Sequence, residues 1–452
     1  MPVIQPDLLA ARFPSTFRFG VASASYQIEG AATEDGRGVS IWDTFSRTPG
    51  KVIGGDTGDT ACDHYHRYPQ DFALMKKLGY DNYRLSFAWP RFYPDGKGKL
   101  NQKGVDFYDR LIDELLGQGI NPLVTLYHWD LPQALEDEGG WKNRDTAYRF
   151  EAYAAEVFRR FGDRVQSFIT HNEPWCASVL GYLFGVHAPG LQDMETALVA
   201  SHHILLSHGL AVNEYRAQGH TGQIGITLNL NPVYAATDDT LDQAAATRQD
   251  VFSNRWFLDP VLKGEYPKEM EQWLGSLPAA MRAEDLPIIA AKTDFLGINF
   301  YSYAVVKHDQ EDKLLQLQNV TPQDHVTDMG WPIKASTLRD LLNRLKRDYG
   351  DIPLYVTENG AAYPDVVEDG RIHDTERTAY VSEHIEACAD AIADGVDLRG
   401  YFLWTFMDNF EWAFGYSKRF GIVYTDYDTQ ERIPKDTALW YADVLKSFRT
   451  RA

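Results

Sequence analysis

Apolar residues recur at steps of three and four through much of the chain, and each such stretch gives way to a short continuous apolar run. After Asn101, a candidate N-cap, Val105, Tyr108, Leu111, Ile112, Leu115 and Leu116 form one helix face, closed by Gly117 and Gly119. Leu123 to Tyr127 then reads as a strand. Phe150, Tyr153, Ala154, Val157, Phe158 and Phe161 repeat the helical spacing, Gly162 stops it, and Val165 to Thr170 follows as the next strand. Leu338, Leu341, Leu342 and Leu345 lead through Gly350 to Pro353–Thr357. Val381, Ile385, Cys388 and Ile392 lead through Gly395 to Tyr401–Trp404. Helix, glycine stop, short apolar strand is the rhythm of a parallel sheet with helices outside it.

Strand-like runs begin near Phe19, Asn82, Pro122, Val165, Gln223, Asp294, Pro353 and Leu398. Eight parallel strands close most naturally into a (β/α)₈ barrel. Periodicity alone also allows an open doubly wound sheet, but no Gly-rich phosphate loop follows the first strand. The expectation is a single (β/α)₈ TIM barrel with long βα loops spanning 1–452, since such barrels can exceed ~400 residues as one domain.

Composition narrows what the barrel serves. With 44 Lys and Arg against 64 Asp and Glu, the formal net charge is −20, which argues against nucleic-acid and anionic-membrane partners and suits a neutral or cationic substrate better than an anionic one. Cys62, Cys176 and Cys388 are few, odd in number and far apart, which suits a reducing compartment. Met1 to Arg18 lacks a secretory pattern, and no run of ~18 apolar residues occurs, so a cytoplasmic protein is expected. Oligomeric state is left open. His64-Tyr65-His66 and His202-His203 lack Cys or carboxylate partners at metal-site spacing. They read as structural or surface histidines, and neither metal nor cofactor is expected.

In a barrel of this kind, chemistry gathers where strands end and βα loops begin. The first strand leads to Gln27, the third to His128-Trp129-Asp130, the fourth to His171-Asn172-Glu173-Pro174 and the sixth to Asn299-Phe300-Tyr301. The seventh ends in Glu358-Asn359-Gly360, the eighth in Trp404 and soon Glu411-Trp412, while Arg84 lies within the second. An acid on an apolar strand costs several kcal/mol if unpaired, so Glu173 and Glu358 should be partnered or functional. Two such carboxyls are what glycoside hydrolysis needs, one to protonate the leaving oxygen and one to attack the anomeric carbon or activate water. Trp404 offers a flat apolar floor for a sugar ring, and Gln27, His128, Asn172 and Glu411 offer donors and acceptors for its hydroxyls.

At these residues the sequence resembles glycoside hydrolase family 1, the β-glucosidase family. Thr170-His171-Asn172-Glu173-Pro174 matches the acid/base signature and Tyr355-Val356-Thr357-Glu358-Asn359-Gly360 the nucleophile signature. Phe19–Gly30, Tyr127-His128-Trp129-Asp130 and Asp408-Asn409-Phe410-Glu411-Trp412 match further motifs, in the family's order, from about Phe17 to Tyr441. The resemblance implies a retaining β-glycosidase, with glucose the first expectation for the sugar. It makes Glu173 the acid/base and Glu358 the nucleophile, with Arg84 and Tyr301 holding Glu358 and lowering its pKa, and Asn299 beside them. The carboxyls should then stand about 5–5.5 Å apart. Gln27, His128, Trp129, Asn172, Glu411 and Trp412 should contact the non-reducing sugar, Trp404 should stack beneath it, and Trp331, Trp175 and Phe414 or Phe420 should wall the aglycone side. His171 departs from the family, where an apolar residue is common, and could alter hydration or proton affinity beside Glu173.

Three rival functions make distinct demands. A 6-phospho-β-glycosidase would carry Ser where Glu411 stands, and a carboxylate there repels a phosphate. A non-catalytic sugar-binding barrel generally loses one of the two carboxylates, and both are present. A metal-dependent barrel hydrolase would lose activity to a chelator.

Overall fold

The computed structural model describes residues 3–320, 322 and 326–451. Met1, Pro2 and Ala452, at the ends of the expected span, lie outside the described residues. Eight parallel strands close into a barrel: β1 Arg18–Ala22, β2 Asn82–Ser86, β3 Asn121–Tyr127, β4 Ser167–Asn172, β5 Gln223–Asn229, β6 Phe295–Asn299, β7 Leu354–Asn359 and β8 Leu398–Trp404. Each pairs with the next in sequence, and β8 closes on β1 with Ala22 opposite Trp404. This is the (β/α)₈ TIM barrel, and the strands lie where the apolar runs placed them.

Strands β2, β4, β6 and β7 are buried at every residue, as a sheet covered on both faces requires. Outside, helices Gln102–Gly117, Asp145–Phe161, Ser336–Tyr349 and Thr375–Ala393 turn their apolar faces inward. Asn101 does occupy the N-cap position of the first of these, but its side chain donates to the carbonyls of Asp35 and Arg91 rather than capping the helix. Inside, Leu123, Ile169, Phe295, Tyr355 and Phe402 fill the barrel. A Cβ at Gly400 would come within 2.7 Å of the Tyr355 ring, and one at Gly20 within 2.6 Å of the Phe402 ring. Large rings over bare backbone thus close the floor, so the open space is confined to the strands' C-terminal end.

The loops at that end are long. Between β5 and β6 the chain makes helices Thr240–Asp250 and Trp256–Lys263, and a small sheet of Val233–Ala235, Ala304–His308 and Leu317–Asn319 stands beside them. Among the described residues no helix is long and apolar enough to cross a membrane.

Candidate active site

Both strands that carry the expected carboxylates break their ladder just before delivering them. The β4–β5 register shifts between Ile169 and Asn172, and the β6–β7 register between Val356 and Glu358. Such irregularities turn side chains out of simple alternation. In β4, Thr170 and His171 both face the outer helices, Thr170 bonding His208 and His171 bonding Ser207. Asn172 and Glu173 then turn to the barrel mouth. His171 therefore does not neighbour the chemistry as its sequence position implied: it is buried against Phe150, ring centroids 4.3 Å apart, and burial holds its pKa well below the ordinary value.

Glu173, Glu358 and Glu411 share one cavity of about 570 Å³, lined also by His128, Trp129, Trp175, Asn299, Tyr301, Trp331, Trp404, Trp412, Phe414 and Phe420. Arg84 and Asn172 stand behind this surface, each about 1% exposed. Gln27 is also fully buried, its amide nitrogen donating to Asn409 Oδ1 at 3.1 Å and the Phe410 carbonyl at 2.8 Å. It thereby holds the loop that carries Glu411. The same loop is fixed from behind by Asp408, which binds Lys435 at 2.8 Å and Arg419 at 2.7 Å.

A continuous chain of hydrogen bonds links the two catalytic candidates. Asn299 Nδ2 donates to Glu173 Oε1 at 2.7 Å and to Asn172 Oδ1 at 2.9 Å. Arg84 donates to that same Asn172 oxygen at 2.6 Å, and its other terminal nitrogen pairs with Glu358 Oε1. Tyr301 Oη donates to Glu358 Oε2 at 2.5 Å. With Asn172 Oδ1 accepting twice, its Nδ2 must donate, and it meets His128 Nε2 at 3.1 Å. His128 Nε2 therefore accepts, which places the ring proton on Nδ1, and burial and the nearby Arg84 charge both favour the neutral ring.

Proton affinity differs sharply across the site. Burial raises Glu173, the Glu358 charge raises it further, and the Asn299 amide only partly offsets them, leaving it pushed up to about 7. Burial also raises Glu358, against the downward pull of Arg84 and Tyr301. The lowering expected from those two partners is real, but desolvation outweighs it, so Glu358 stays above the usual carboxylate range. It is still the better-supported anion of the pair. Burial, and after it the Glu358 and Glu173 charges, push Glu411 up to about 8.

Aromatic rings frame the inner cavity. The His128 ring lies nearly parallel to both Trp404 and Trp412, at 5.8 and 5.9 Å. Trp129, Glu173 and Trp412 all have positive φ, a conformation that costs a non-glycine residue roughly 1–3 kcal/mol and persists only where surroundings impose it. Three such residues around one cavity mark where packing has been subordinated to geometry.

Several lining residues escaped the sequence reading. Asn229 ends β5 and was detectable by the strand-end rule. Gln249, on helix Thr240–Asp250, Ser253, on the helical segment Val251–Arg255, and His187, on a loop, carry no local signal. Cys176, three residues beyond Glu173, lines the cavity beside that carboxyl. Of the paired histidines three are internal supports: His64 binds Asp71 at 2.7 Å, His202 binds Asp285 at 3.0 Å, and His203 binds the Trp141 carbonyl at 3.0 Å, while His66 lies at the surface beside Asp63 and Glu34. Cys62, Cys176 and Cys388 are buried free thiols.

Residues 9–449 match the family description "Glycosyl hydrolase family 1". Beta-glucosidase A of Acetivibrio thermocellus is 48% identical over 440 residues, covering 96% of this chain and 98% of that protein. Among solved structures, the AHE enzyme of Alicyclobacillus herbarius superposes with a TM-score of 0.96 at 52% identity over 100% of both chains. A Thermotoga maritima beta-glucosidase solved in complex with deoxynojirimycin gives 0.94 at 47% identity, covering 96% of this chain and 99% of that one.

Proposed function

The chain belongs to glycosyl hydrolase family 1 and is a β-glucosidase, and from that premise we propose that Glu358 and Glu173 divide a double displacement between them. The observation that carries this division is the unequal hydrogen bonding of two carboxylates in one cavity. Glu358, with a guanidinium on one oxygen and a phenol on the other, attacks the anomeric carbon as an anion. Glu173, which holds its proton to about pH 7, gives it to the departing oxygen. The bond to the leaving group breaks as the glycosyl ester on Glu358 forms. Esterification removes the Glu358 charge, so the proton affinity of Glu173 falls and it can take a proton from the incoming water. That water cleaves the ester and releases glucose with its configuration retained.

Asn172, with one Nδ2 hydrogen still uncommitted, is assigned to the sugar 2-hydroxyl, where bonds tighten most in the transition state. Asn299 aligns Glu173. Trp404 supports the ring, while Gln27, His128, Trp129, Glu411 and Trp412 meet its other hydroxyls. A protonated Glu411 both donates and accepts, and as a carboxyl it disfavours a 6-phosphate. Trp175, Trp331, Phe414 and Phe420 bound the aglycone. The whole chain acts as one barrel domain on small neutral β-glycosides in the cytoplasm, without metal or cofactor.

Turnover of aryl β-D-glucosides should fall as pH rises through about 7, with the loss tracking Glu173 ionisation. A profile whose basic limb stays put in Glu173→Ala would remove Glu173 from the acid role.

A further inference from the structure

Tyr301 lies beyond the end of β6, so the barrel ladder does not hold its backbone. Its ring meets Trp331 and Phe420 at centroid distances of 5.4 and 6.0 Å. Its carbonyl accepts one hydrogen bond from the outer layer, from Tyr380 Oη at 3.0 Å. That hydroxyl is itself an acceptor, from Asn359 Nδ2 at 3.0 Å. Asn359 is the residue after Glu358. Its amide nitrogen also reaches the Phe300 carbonyl at 2.8 Å, and its oxygen accepts from Tyr401 Oη at 2.7 Å.

One hydroxyl therefore touches the chain neighbour of the nucleophile and the backbone of the residue that hydrogen-bonds it. Tyr380 is rigid enough to serve as a reference. It is 2% exposed on helix Thr375–Ala393, and its ring stacks on His384 at 3.9 Å. We propose that Tyr380 is a positioning residue of the reaction: its hydroxyl clamps the Tyr301 carbonyl to the Asn359 amide and so keeps the Tyr301 hydroxyl seated on Glu358. It touches no substrate and acts only through Tyr301. The proposal rests on the reading of Glu358 as nucleophile.

Tyr380→Phe deletes the clamp and little else. Losing a hydrogen bond of ordinary strength should lower kcat/KM on an aryl β-D-glucoside by about 3- to 10-fold. The acid limb of the pH profile should move to higher pH, because Glu358 loses support for its charged form. A double-mutant cycle with Tyr301→Phe decides the route. If Tyr380 works through the Tyr301 hydroxyl, adding Tyr380→Phe to Tyr301→Phe changes neither rate nor limb. Tyr441→Phe, which removes another buried phenol that donates to the Gly20 carbonyl at 3.0 Å, controls for general loosening and should leave kcat/KM and the limb unmoved. An unchanged Tyr380→Phe enzyme, or the same fold-loss in both backgrounds, overturns the proposal. No loss in Tyr301→Phe alone would strike at the assignment of Glu358 and take the proposal with it.

Discussion

Glu358 and Glu173 end equivalent strands of one barrel, are almost equally hidden, and sit in surroundings of opposite kind. Around Glu358 a buried guanidinium and a phenol each take one carboxylate oxygen, and behind them Tyr401 binds Asn359, Asn359 binds Tyr380, and Tyr380 binds the Tyr301 carbonyl. Around Glu173 there is one amide from Asn299 and the thiol of Cys176, then open cavity. Burial raises the proton affinity of both, so burial cannot be what separates their roles. On the division proposed above, the number and charge of the donors does that. A site needing an acid and an anion side by side can make both from one residue type by surrounding one with donors and leaving the other nearly bare.

Breaking the donor-rich side outright has the largest expected effect. Glu358→Gly should lose about 10⁴-fold or more of kcat, the scale seen when a covalent nucleophile is removed. Azide should restore part of the rate and yield an α-glucosyl azide identifiable by NMR, since the anion enters from the face Glu358 vacates. Full activity without azide would remove Glu358 from the mechanism.

Removing the bare side should be conditional. For Glu173→Ala, kcat/KM on substrates with poor leaving groups should fall about 10²- to 10⁴-fold, the usual worth of a general acid. Dinitrophenyl glucosides, which leave unaided, should keep far more of theirs. A uniform loss across a leaving-group series would contradict an acid role.

Arg84→Met tests the asymmetry without deleting either carboxyl. Leaving Glu358 without its buried counter-charge should cost about 3–5 kcal/mol of stability, measured by denaturant unfolding. It should also raise the acid limb of kcat/KM, because the charged form of Glu358 loses its strongest support. A variant as stable as the parent would mean Arg84 is not the counter-charge that the 2.6 Å bond to Asn172 and the contact with Glu358 describe.

The smallest effect is expected from a chelator. No group of three or more His, Cys, Asp or Glu among the described residues is arranged to hold a metal. EDTA should leave kcat unchanged, and a loss restored by added metal would revive the metal-hydrolase reading.

How much of this contrast was legible beforehand follows from its physics. Strand positions were, because a sheet buried on both faces demands continuous apolar runs: Leu123–Tyr127 and Tyr401–Trp404 stand out in any reading. The lining residues at strand ends were legible too, since barrel geometry sends every such end to one mouth. What a chain of letters does not carry is register. The shifts before Asn172 and Glu358 decide that His171 turns outward to Ser207, and they bring Asn299 onto Glu173. The balance of burial against Arg84 and Tyr301 at Glu358 likewise depends on depth that no motif states. Gln249 and Ser253 reach the cavity from an excursion with no distinguishing period.

The most direct test of the division of labour is a ¹³C-carboxyl NMR titration of Glu173 in the parent enzyme and in Glu358→Gln. In the parent it should titrate near 7, and with the neighbouring charge removed its midpoint should move down, burial still holding it above the usual carboxylate range. An unshifted midpoint would mean the two carboxyls do not sense each other, and the switch of Glu173 from acid to base on esterification of Glu358 would fail.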